Sequence, residues 1–219
     1  LYSNTTASNN TAVGYQAGYS ITTGANNVAI GNIALYSNTT AGNNVAVGYA
    51  AGNLNTTGSE QVFVGFYAGR ANTTGAGQTS VGFAASENTT TGTQNSSFGS
   101  YALYTNTTGS YNVAIGRQAL YYNTTASNNT AVGYLAGYSN TTGTSLTAVG
   151  NNALYSNTTG NINVAIGGYA LRSNTTGSRN VAIGEINYGP EYGTMQLNTT
   201  GSSNVAVGNR ALAQNTTAN

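Results

Sequence analysis

The sequence predicts an all-β protein, a parallel β-solenoid (a β-roll or β-helix) of about twelve 17-residue coils. Three observations predict it. Glycine recurs at 14, 31, 48, 65, 82, 99, 116, 133, 150, 167 and 184, each step being 17 residues, and again at 208. Before each glycine, β-branched residues alternate with a small one, as in Asn27-Val28-Ala29-Ile30-Gly31, which is the period of a strand with two unlike faces. Between these runs lie clusters of Asn, Thr, Gly and Ser, the residues that make turns. A period of 17 is too short for a helix–turn–helix repeat or a propeller blade, which need roughly 33–50 residues. Twelve coils stacked about 4.8 Å apart make a rod roughly 58 Å long.

Numbered from its Asn, the repeat reads Asn-Thr-Thr-Gly-Ser-Asn-Asn-Val-Ala-Val-Gly-Tyr-x-Ala-Leu-Tyr-Ser. Positions 1–4 are expected to turn the chain, and positions 8–10 to form the strand. Position 11 is Gly in twelve copies, and position 14 is Ala in every regular copy, from Ala17 and Ala34 to Ala170 and Ala211. The stretch from position 12 to 16, Tyr-x-Ala-Leu-Tyr, is expected to be a second short extended segment. From Gly184 to Gly208 the step is 24, so seven residues are inserted, within 185–197. Positions held this strictly argue against a disordered low-complexity chain. Residues 1–219 read as one repeat domain without visible caps, a piece of a longer fibre or one capped by its neighbours.

Alternation along the strand assigns faces. Positions 8 and 10, such as Val45 and Val47 or Val113 and Ile115, are expected to point into the coil. Position 9 then points outward, and an outward row of Ala29, Ala46, Ala114, Ala165 and Ala182 suits a close-packed seam against another chain. Phe63 is its one bulky member. Two or three buried aliphatics per coil fall short of the entropy lost on ordering 17 residues, so partners and side-chain ladders must contribute.

Composition removes most reaction chemistry. The chain has five basic and four acidic residues, all Arg or Glu, and lacks Lys, Asp, His, Cys and Trp. No general acid–base His, thiol nucleophile, zinc site or disulfide can form, so no catalytic residue, metal or cofactor is expected. Calcium-binding β-roll repeats use Asp, which is absent. Glu185 and Glu191, beside or within the insertion, are the only close carboxylate pair, and a loop on a rod is a poor place for the shaped cleft that a glycosidase needs. A net charge of +1 gives no footprint for nucleic acid, and no apolar run is long enough to insert in a membrane.

The strings Asn-Val-Ala-Ile-Gly (27–31, 112–116, 163–167, 180–184) and Asn-Val-Ala-Val-Gly (44–48, 204–208) resemble the head repeat of trimeric autotransporter adhesins. That family's repeat is shorter, and the added stretch here is the Asn-Thr-Thr-Gly turn. The longer version resembles repeat regions of bacterial surface proteins and phage tail-fibre-like proteins. The resemblance implies a left-handed roll, assembly into a trimer or bundle, and an extracellular, cell-surface or virion fibre. It also implies adhesion to surface glycans or a host receptor.

Three sets of residues stand out as candidate sites. Asn-Thr-Thr is formally a glycosylation sequon at Asn4, Asn38, Asn55, Asn72, Asn88, Asn106, Asn123, Asn140, Asn157, Asn174, Asn198 and Asn215. Its fixed place in the repeat equally suits amide and hydroxyl ladders between coils. Tyr104, Tyr121, Tyr138 and Tyr155 share position 16 and are expected to stack as a contact ladder, with Tyr19 and Tyr36 doing the same earlier. Arg70 and Glu87, 17 residues apart at that position, should be neighbours on the surface. Regular Thr on a solenoid also raises ice binding as a function of another class.

Overall fold

The computed structural model describes residues 1–184 and 193–217. It divides into two compact units, Leu1–Tyr111 and Asn112–Asn219. The sequence reading takes residues 1–219 as one repeat domain, and in a solenoid each coil touches only its neighbours.

In the first unit, six three-residue strands pair in sequence order: β1 (Thr11–Val13), β2 (Val28–Ile30), β3 (Val45–Val47), β4 (Val62–Val64), β5 (Thr79–Val81) and β6 (Ser96–Phe98). The second repeats the design with β7 (Val113–Ile115), β8 (Thr130–Val132), β9 (Thr147–Val149), β10 (Val164–Ile166), β11 (Val181–Ile183) and β12 (Val205–Val207). All pairing is parallel and in register, as in Val28↔Val45, Ala29↔Ala46 and Ile30↔Val47. The chain is a parallel β-solenoid with 17-residue coils. Across the insertion the register resumes with Val181 opposite Val205.

Each coil has one strand, not two. The predicted extended stretch at positions 12–16 is a run of turns with left-handed residues at positions 13 and 15, such as Ile33 (φ 51°) and Leu35 (φ 47°). Its backbone is satisfied between coils: the Leu35 N–H donates to Ala51 O at 3.0 Å, and the Ile33 N–H to Tyr15 O at 2.8 Å. Those bonds offset conformations that cost about 1–2 kcal/mol for a residue with a Cβ.

Glycine at position 11 has a geometric cause. At Gly31, φ is +133°, and a Cβ would lie 2.3 Å from Gly48 O on the next coil. No other residue fits, which is why the period is so plain in the sequence.

The core reverses the expected faces. Ala29, Ala46, Ala114, Ala165 and Ala182, read as an outward seam, are 0% exposed within the single chain and line the coil interior. Positions 8 and 10 face out. Two-residue periodicity leaves the two orientations equivalent. Volume decides between them: position 9 faces the Ala at position 14 and the Leu at position 15, and little beyond a methyl fits there. Phe63 is the test case. Its ring occupies the space left by glycine at position 15 of its own coil and of the one before: a Cβ on Gly69 would sit 2.2 Å from the ring, and one on Gly52 2.7 Å from it.

Candidate functional site

With Ala turned inward, the strands present two outward columns of β-branched side chains. In the first unit these are Val28 and Ile30, Val45 and Val47, Val62 and Val64. In the second they are Val113 and Ile115, Val164 and Ile166, Val181 and Ile183. Position 8 is half-buried, mostly by its own column, and position 10 is the more open, with Ile115 41% exposed. Neither column carries a charge in any strand.

Position 12 adds rings beside this face in the first unit. Tyr49, Phe66 and Phe83 stack at 5.0 and 5.2 Å and are all exposed. In the second unit position 12 holds Arg117, Tyr134, Asn151 and Gly168. A shallow recess of about 600 Å³ opens there, bounded by Val149, Ile166, Ile183, Asn151 and Tyr169. Contiguous exposed apolar surface of this kind is uncommon on monomers and marks interaction sites.

The Asn-Thr-Thr sequons are, for the most part, structural. Asn38, Asn55, Asn72, Asn106, Asn123, Asn140, Asn157, Asn174 and Asn198 are wholly buried, which removes them as glycosylation candidates. In the second unit the amides form a file. Asn140 Nδ2 donates to Asn123 Oδ1 at 2.9 Å and to Gly143 O at 2.9 Å, so both of its hydrogens are used. Asn157, Asn174 and Asn198 repeat the pattern. Only Asn4, Asn88 and Asn215 keep solvent access. Asn88 is displaced to position 17, and Thr89 takes its place in the file, accepting from Asn106 Nδ2 at 3.3 Å.

A second buried file, which the sequence reading missed, runs along position 7. Asn129 Oδ1 accepts from the Leu146 N–H at 2.9 Å, and Asn129 Nδ2 donates to Gly143 O at 3.0 Å. The polar residue immediately before every strand except β9, which Leu146 precedes, was its signal. The first Thr of each turn donates to its counterpart's carbonyl on the next coil, as Thr22 Oγ1 does to Thr39 O at 3.1 Å, and the second Thr is exposed.

The tyrosine ladder forms within each unit. Tyr2, Tyr19 and Tyr36 stack at 4.9 and 5.3 Å. Tyr121, Tyr138 and Tyr155 stack at 5.4 and 5.2 Å. Tyr104 belongs to the first unit, edge-on to Tyr101 at 5.4 Å. Arg70 and Glu87 pair at 3.0 Å as expected, with side chains 40% and 9% exposed, a contact worth about 1 kcal/mol at most. Arg70 also lies 4.8 Å over the Tyr67 ring.

Burial, then a hydrogen bond with Tyr122 and the nearby phenols, pushes the Tyr138 hydroxyl from its ordinary 10 up to about 12. Between those values the unfolded chain has released this proton and the folded chain has kept it. The associated stability is therefore complete below pH 10 and is lost as pH rises towards 12. Urea midpoints measured below and within that window should fall with pH in the native chain. The fall should be shallower in Tyr138→Phe; an equal fall in both would remove Tyr138 as its source.

Among the described residues no cluster of three or more His, Cys, Asp or Glu gathers, and no helix is long and apolar enough to cross a membrane. Glu185 and Glu191 lie outside the described residues, as do Tyr188, Pro190 and Tyr192 of the insertion. Compared with protein-family models, curated proteins and solved structures, the chain has no match.

Proposed function

We propose that this chain is a structural, non-catalytic segment of an extracellular fibre that self-associates through the outward faces of its strands. One observation carries the reading: two uncharged columns, mostly Val, Ile and Thr with Ser96 and Phe98 in β6, repeat along each unit, and the position-10 column is the more exposed of the two. The repeat makes the surface self-similar, so a second copy meets the same side chains at the same spacing. Interfaces between permanent partners are apolar in this way. The resemblance to trimeric adhesin heads and tail-fibre repeats supports a surface or virion location, with adhesion to glycans or a receptor as the fibre's task.

Sedimentation of the native chain beside an Ile115→Glu/Ile166→Glu variant tests this. The native chain should form a discrete oligomer or filament, and the variant should remain a folded monomer at the same concentration. A native chain that stays monomeric when concentrated, or a variant that assembles equally well, sinks the proposal. Ice binding has one observation in its favour, the exposed second Thr of each turn in a regular file. That file is a single column and the face beside it is Asn-rich turn, so the fibre reading is preferred; a thermal-hysteresis assay separates the two.

A further inference from the structure

Fifteen asparagines begin an Asn-x-Thr or Asn-x-Ser sequon: the twelve of the Asn-Thr-Thr turns, and Asn9, Asn95 and Asn128. Two side chains make a sequon usable, the amide that takes the sugar and the hydroxyl two residues on. The Asn-Thr-Thr turn sends them to opposite sides of the coil. Asn140 is buried with both amide hydrogens in use, while Thr142 stands in solvent.

Asn128-Asn129-Thr130 falls at positions 6–8 of the repeat, where side chains alternate. The middle residue is the buried one: Asn129 Oδ1 accepts from the Leu146 N–H at 2.9 Å. Asn128 is exposed, and Thr130 is half-buried on the same outward side. Neither the Asn128 amide nor the Thr130 hydroxyl has a hydrogen-bond partner among the described residues. The free amide has a cause in the next coil. In the first unit position 6 forms a file, with Asn9 Nδ2 donating to Asn26 Oδ1 at 3.2 Å and Asn26 Nδ2 to Asn43 Oδ1 at 3.3 Å. Ser145 follows Asn128 at that position, and no such bond forms. The other sequons with solvent access are committed. Asn4 donates to Ala7 O, Asn88 to Tyr104 O and Asn215 to Asn198 Oδ1. Asn95 is buried.

We propose that Asn128 is an N-glycosylation site that the folded chain keeps open, its substrate a sugar activated by a diphosphate at the anomeric carbon. Asn128 Nδ2 forms a bond to that carbon as the bond from carbon to diphosphate oxygen breaks. The diphosphate leaves with the bonding electrons, and one amide proton passes to a basic group of the transferase. The Thr130 hydroxyl is the second group that the transferase reads. No backbone bond of the coil has to open for this, because the alternation already holds both side chains outward. A sugar at Asn128 stands at the edge of the outward strand face, beside the position-8 column. The site does not depend on self-association.

The test uses the full chain, folded and at a dilution where it is monomeric, in two arms. One supplies UDP-glucose and a soluble transferase that accepts Asn-x-Thr; the other supplies a lipid-linked oligosaccharide and a membrane transferase that accepts it. Cleavage after Arg117 and Arg172 releases residues 118–172, which carry Asn128 beside the buried Asn123, Asn140 and Asn157. Fragmentation of that peptide should place the sugar on Asn128 at least tenfold above the other three. Success in either arm supports the site and tells which donor serves it. Thr130→Val installs the residue that Val113 and Val164 supply at the same position, so it should keep the fold and abolish the modification. Asn128→Gln should abolish it too. No sugar on Asn128 in either arm, equal sugar on the buried asparagines, or undiminished sugar in Thr130→Val would each overturn the assignment. The map of the native chain decides the matter even if a variant fails to fold.

Discussion

Gly133→Ala is expected to unfold the coils around it, at a cost of about 3–5 kcal/mol. Two independent penalties coincide at this residue. Its φ of +138° lies where residues with a Cβ are rarely found, and the added carbon would meet Gly150 O at 2.6 Å. The obstructing atom is backbone, held in the next coil by the Gly150 N–H bond to Val132 O at 2.8 Å. Neither coil can yield without breaking the β8–β9 register. Gly77 supplies the contrast. Its φ is also positive, at +65°, but a Cβ there meets only Gln94 Cγ at 3.3 Å, and its position holds Asn, Glu, Gln, Tyr, Ser, Ile or Arg in other coils. Gly77→Asn should therefore change stability by no more than about 0.5 kcal/mol. Urea titrations of both variants check this. Equal losses would mean that sign of φ, and not the facing carbonyl, sets the requirement.

Phe63→Ala should cost about 3–5 kcal/mol, the range for deleting a buried aromatic ring. The informative experiment restores the volume from the opposite side. Leu35 and Leu103 show that leucine adopts the left-handed conformation at position 15, with φ 47° and 54°. Gly52→Leu and Gly69→Leu should recover most of the loss in the Phe63→Ala background. In the native background each should be severely destabilising, because the ring already fills that space. Opposite signs in the two backgrounds are the mark of directly coupled residues. Additive effects would show that positions 9 and 15 do not share a core.

The coil length, the strand positions, the register and the Arg70–Glu87 contact were legible because they depend on spacing alone. The direction of the strand's side chains was not. Val and Ile are the more hydrophobic pair, so they look like core beside Ala. A coil this narrow buries methyl groups and leaves the larger residues outside. The sequence held a clue in Phe63, which stands between Gly52 and Gly69 where six other coils have Leu, a volume exchange that points to facing positions. The second extended segment was misread for a related reason. Nothing in Tyr-x-Ala-Leu-Tyr advertises left-handed backbone, since Leu and Ile adopt it here under the hold of bonds from adjacent coils. The sequons were ambiguous by chemistry: an amide that can accept a sugar is also one that can file along a core, and only burial tells them apart.

The place of the long step, from Gly184 to Thr194, has a consequence for how such a chain can change in length. On either side of it the files continue without a break. Asn198 still donates to Asn174 at 2.9 Å, the Asn204 N–H to Asn180 Oδ1 at 3.0 Å, and the Leu171 N–H to Thr194 O at 3.1 Å. Strand, turns and both amide files are locked to their counterparts, so a deletion elsewhere must be a whole coil or it misaligns all of them together. Between positions 11 and 14 this coil takes seven extra residues without disturbing those files, although elsewhere position 13 is itself bonded to the coil before, as the Ile33 N–H is to Tyr15 O. Gene duplication can therefore extend the array in steps of one coil, while foreign peptide can be carried at that one port, like cargo on a rack whose rungs stay in place.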